Sequence, residues 1–106
     1  MPIVAWLVFV AAAILEVAGD AVIRRGLRGG GAALIAAGFA MLGCYGLTVN
    51  LIRWDFARLL GVYVAVFAVV SVLCGRFVLG ETVPASTWIG VVIIVAGGFV
   101  VQFGAQ

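Results

Sequence analysis

Histidine is absent from the 106 residues, and only 9% of them carry charge. Without histidine the chain lacks the commonest metal ligand and the usual general base. A soluble domain devotes about a quarter of its residues to Asp, Glu, Lys and Arg, because its surface must be covered with polar groups. This chain has too few to do so. No basic run and no interleaving of basic with aromatic residues is present, which excludes nucleic acid as a partner. Cys44 and Cys74 lack any ligand spacing and fall in apolar segments, where thiols behave as small hydrophobes. No Gly-x-Ser-x-Gly, no phosphate-binding glycine motif and no metal spacing is found, so neither an enzyme nor a cofactor is expected. The glycine-rich "RGLRGGG" lies between two apolar runs, with no strand before it.

What is there is apolar: 67% of residues are hydrophobic and the mean hydropathy is +1.39. Such a chain belongs in a bilayer. The opening "MPIVAWLVFV" has no positive stretch and no polar domain after it, so it reads as a first span and not as a cleaved signal. A spanning helix needs about 20 largely apolar residues. Four such runs are present, at about 3–23, 32–51, 56–79 and 85–103. The separators are "RRGLRGGG", "IRWD" and "GETVP", with Pro84 suited to a helix's first turn. The expected fold is an all-α membrane protein, a single domain (1–106) of four transmembrane helices whose short turns force antiparallel neighbours. Trp6, Trp54 and Trp88 fall near predicted ends, as interfacial tryptophans do. The first and third turns carry Arg24, Arg25, Arg28 and Arg76, against Arg53 and Arg58 on the other side. That mild bias places the first and third turns in the cytoplasm, and the free α-amino group narrows it enough to suit insertion in both orientations.

Two acids interrupt the first run, in "ILEVAGDAVIRRG". A carboxylate in mid-span costs roughly 2.5–3.5 kcal/mol on insertion scales, so it needs a reason. Glu16 lies deep, and the residues one turn away on either side, Ala12 and Asp20, offer no positive charge. A structural hydrogen bond to another helix is one reading; a cation or proton site facing a water-filled cavity is the other. Asp20 shares a face with Glu16, which suits a paired acidic site, yet Arg24 follows four residues later in the order that favours a helical ion pair. Two carboxylates in one cavity titrate as a coupled unit. Holding protons when empty and losing them to an arriving cation is the minimum machinery of a proton-coupled cation exporter. Asp55, with Arg58 three residues on and Arg53 nearby, reads as a solvated turn network. Glu81 reads as structural, ahead of a helix N-terminus, and Arg76 as a side chain that snorkels.

The sequence resembles the small multidrug resistance family, within the wider drug/metabolite transporter group. "ILEVAGDAVIRRGL" resembles the family's first helix, in which one membrane-embedded glutamate is followed by Val, a variable residue and then Gly or Trp. Glu16 falls on that glutamate, and Gly19 matches the multidrug-type branch. "RLLGVYVAVFAVV" resembles the third helix, a Pro-x-Gly start leading into Ala-Tyr-Ala-x-Trp. Gly61 matches, Leu59 replaces the proline, Phe67 takes the tryptophan position, and Tyr63 stands one residue early. "FVLGETVPASTWIGVVIIVAGGFVVQ" resembles the end of the third helix and the fourth, with Gly90 and Gly97 on the family's dimerisation glycines.

The resemblance covers the whole chain and implies a multi-pass protein of the bacterial-type inner (cell) membrane. It implies a dimer, often antiparallel, in which Glu16 of each subunit is shared between a proton, the coupling ion, and a small organic cation. Phe67 and Tyr63 would supply aromatic walls suited to cation–π contact. Gly90 and Gly97, two turns apart, would let helices approach closely, and Gly43 and Gly46 could act similarly in the second span. Asp20 stands where the family has a small or hydroxyl residue. A second acid suits a dication such as a polyamine, a more polar substrate, or a member that pairs with a different subunit as a heterodimer. Two other functions fit the same fold: a lipid or lipid-linked-sugar flippase subunit, with "RRGLR" meeting a phosphate headgroup, and a non-transporting membrane scaffold.

Overall fold

The computed structural model describes residues 2–104. Four helices run α1 Pro2–Arg25, α2 Ala32–Val49, α3 Phe56–Phe77 and α4 Ala85–Phe103, and all four are long and apolar enough to cross a membrane. They group into two compact units, Met1–Ile52 and Arg53–Gln106. The helix ends lie within two residues of the sequence expectation, and the shifts have local causes. Helix α1 runs on through Arg24 and Arg25, whose charge suits a helix C-terminus. Helix α2 stops two residues early because Asn50 turns back on it: its side-chain Nδ2 donates to the Gly46 carbonyl at 2.8 Å.

In the first unit α1 and α2 form a hairpin around a π-type turn, Gly26–Gly30, that is broken by non-helical backbone at Arg28 and Gly29. Gly29 and Gly31 sit at φ of +104° and +100°, a region where a Cβ is strongly disfavoured. The Gly31 N–H closes the turn on the Gly26 carbonyl at 3.1 Å. This is why the charged stretch is also the glycine-rich one. From the turn the helices run antiparallel in a regular register: Gly26 lies against Ile35, Ile23 against Gly38, and Gly19 against Leu42. At the crossing, a Cβ on Gly38 would overlap Ile23 Cγ1 and stand 2.8 Å from the Gly19 carbonyl oxygen. The backbones touch there because neither residue has a side chain. Ala5, Phe9, Ala12, Ala13 and Val49 are the buried apolar residues of this unit, with the Trp6 ring edge-on to Phe9 at 5.9 Å.

In the second unit α3 and α4 pack antiparallel, Gly61 against Val101 and Ala65 against Gly98. Leu59, Val62 and Tyr63 are buried. Between the helices, Gly80 takes φ +71° and the Glu81 N–H bonds the Gly75 carbonyl at 2.9 Å. Pro84 stands as the residue just before α4 and not within its first turn. Among the described residues, the network expected around Asp55 does not form. Arg58 turns away from it, with its guanidinium carbon 4.2 Å from the Trp54 ring centroid and its Nε donating to Gln102 Oε1 at 3.2 Å.

Candidate functional site

Glu16 sits within α1, nine residues before its end at Arg25, about 14 Å along the axis at 1.5 Å per residue. It is half-buried, whereas Asp20, one turn on, is exposed. Among the described residues, Asp20 makes no ion pair with Arg24. The helical ion pair open to Asp20 in the sequence is therefore not what holds it, and the two acids differ in environment despite sharing a face. Gly19, between them, is buried at the α1–α2 crossing, where its would-be Cβ meets Leu42 at 3.1 Å. Its smallness serves helix packing beside the carboxylate.

A further residue, unmarked in the sequence reading, joins Glu16. The hairpin register that sets 23 against 38 and 19 against 42 puts Tyr45 opposite Glu16, and the Tyr45 phenol is within electrostatic reach of that carboxylate. A tyrosine in a span must find a partner for its hydroxyl. Counting outward from the glycine turn brings the two residues to one depth, but only the rotation of the helices makes them face one another. The first hairpin thus gathers a half-buried carboxylate and a phenol in an otherwise apolar layer.

Tyr63 and Phe67 belong to the second unit, one turn apart on α3. Their ring centroids are 6.4 Å apart and their planes tilted by 34°, with Tyr63 buried and Phe67 half-buried. The displaced tyrosine therefore still shares a face with Phe67, which makes a two-ring wall.

Gly90 and Gly97 have no atom within 4 Å of where a Cβ would stand, whereas a Cβ on Gly98 would be 2.6 Å from the Ala65 methyl. Of the neighbouring glycines on α4, Gly98 serves the hairpin and Gly97 faces away from it. Gly98→Ala is accordingly expected to destabilise the α3–α4 hairpin by about 1–3 kcal/mol, the usual cost of overpacking. Gly97→Ala should change its stability by less than about 0.5 kcal/mol, as at open positions. Detergent unfolding followed by circular dichroism separates the two.

A four-helix architecture of apolar spans with a carboxylate inside one of them defines a small multi-pass membrane protein. The profile of one such family, described as "Uncharacterised BCR, YnfA/UPF0060 family", matches residues 3–106, and the chain belongs to that family. No curated protein sequence and no solved structure matches it.

Proposed function

We propose that this protein is a proton-coupled antiporter that exports small organic cations, with Glu16 shared between proton and substrate. The observation that carries this reading is Glu16 itself: a half-buried carboxylate in a spanning helix, with no basic residue one turn away on either side. An acid so placed is costly unless it works. The likeness of "ILEVAGDAVIRRGL" to the first helix of small multidrug resistance proteins supports the same residue, and Tyr45 gives the carboxylate a polar neighbour without cancelling its charge. In this reading the carboxylate holds a proton while the cavity is empty and gives it up when a cation arrives. Proton and substrate cannot occupy it together, and that competition couples the two flows.

The functional form is a dimer in the cell membrane, with the side-chain-free strip at Gly90 and Gly97 available for close helix approach. Phe67, half-buried, provides a π-face for a delocalised or quaternary cation, with the buried Tyr63 ring beside it. Phe67→Ala is expected to weaken binding of a quaternary amine by roughly 2- to 30-fold, as the loss of one cation–π contact would, and guanidinium less. Uptake assays in liposomes with guanidinium, a quaternary amine and a polyamine, combined with proton release on mixing, test the reading. Failure of all three to move against a proton gradient would overturn it.

A further inference from the structure

Arg58 is placed where local electrostatics do not want it. It lies in the first turn of α3, where the helix dipole favours anions and opposes cations. Among the described residues, Asp55, three residues earlier, makes no ion pair with it. Two neutral groups hold it in place instead: the Trp54 ring, 4.2 Å from the guanidinium carbon, and the Gln102 amide oxygen, 3.2 Å from Nε. These contacts fix the plane and direction of the guanidinium and, among the described residues, leave it without an ion-pair partner. Only the Nε–H is used, so the Nη fork, with its four N–H groups, meets no acceptor among the described residues. A planar fork of this kind matches two oxygens of a phosphate.

We propose that Arg58, clamped by Trp54 and Gln102, binds the phosphodiester of an anionic membrane lipid. The location suits this ligand. Helix α3 begins at Phe56 and α4 ends at Phe103, so Arg58 and Gln102 lie near the ends of two spanning helices, at headgroup level. Phe56, Phe99 and Phe103 are exposed at the same end, and the last two stack with centroids 6.0 Å apart. They offer apolar surface to an acyl chain, which free phosphate lacks. Arg53 and Asp55 are both exposed and opposite in sign, so their formal charges sum to zero and the Arg58 charge sets the preference. An anionic headgroup is therefore favoured over a zwitterionic one, whose ammonium would meet the same positive end.

Native mass spectrometry of the full chain in detergent tests this, with phosphatidylglycerol, phosphatidylcholine and inorganic phosphate as the three probes. Phosphatidylglycerol is expected to bind about 5-fold more tightly than phosphatidylcholine, the worth of one arginine at a headgroup. Arg58→Gln removes that preference. Arg58→Lys keeps the charge but loses the fork, and Gln102→Leu keeps the fork but loses its fixed direction; each retains only part of the preference. These two variants carry the test if Arg58→Gln fails to fold. If Arg58 is only a strap between α3 and α4, Gln102→Leu lowers the melting temperature while the lipid preference survives in all three variants, and the proposal falls. Displacement of phosphatidylglycerol by millimolar inorganic phosphate would assign the site to free phosphate and overturn the lipid assignment.

Discussion

Glu16→Gln is expected to reduce proton-coupled cation uptake to the level of empty liposomes while leaving helical content and melting temperature at or above the wild-type values. The carboxamide has nearly the volume of the carboxylic acid and can still hydrogen-bond, so packing in the α1–α2 hairpin is kept. What is lost is the exchangeable proton and the negative charge that a cation would replace it with. The carboxamide cannot ionise, so it never carries a charge whose mid-span cost is roughly 2.5–3.5 kcal/mol, and function should fall while stability holds. That contrast distinguishes a working acid from a structural one, whose loss would lower both. Proton release measured with a pH dye on adding cation to purified protein gives the direct reading. A Glu16→Gln protein that still released protons on cation binding would end the antiporter reading. Asp20→Asn serves as comparison: Asp20 is exposed and, among the described residues, outside any ion pair, so its loss should alter the response to dications without abolishing that to monocations.

The second large effect is structural, at Gly38. A methyl there would meet Ile23 Cγ1 and, at 2.8 Å, the Gly19 carbonyl oxygen. The side chain can yield by rotating, but the backbone oxygen cannot, so α1 and α2 must separate. Gly38→Ala should therefore cost about 1–3 kcal/mol, whereas Gly43→Ala on the same helix, with open space at its Cβ position, should cost almost nothing. Because the register carries Tyr45 to Glu16 two turns from this crossing, Gly38→Ala should also change the pH dependence of proton release. Unfolding monitored by circular dichroism checks the first expectation and the pH-dye assay the second. Equal stability of the two variants would mean that the helices do not meet closely at Gly19 and Gly38.

The unusual placement of Glu16 was legible in the sequence because a bilayer makes charge so costly that an acid deep in an apolar run stands out. The roles of the glycines were not legible. Gly97 and Gly98 are adjacent and chemically identical, yet one faces open space and the other abuts Ala65. Only the rotation of α4 about its axis separates them, and a helix apolar all round from Trp88 to Val101 does not advertise that rotation. The same applies to Arg58: its sequence neighbours suggested Asp55, but the helix that supplies Gln102 lies 44 residues away.

The sequence by itself determined the solvent, the number of spans, the turns and the depth of Glu16, because each follows from how many consecutive residues can leave water and where charges and glycines interrupt them. The tertiary structure alone decided which residues face one another: Tyr45 with Glu16, Gly38 with Gly19, Gly98 with Ala65, Arg58 with Gln102. Those pairings depend on helix rotation and register, which in an apolar span are set by the fit of surfaces and not by any contrast between wet and dry faces.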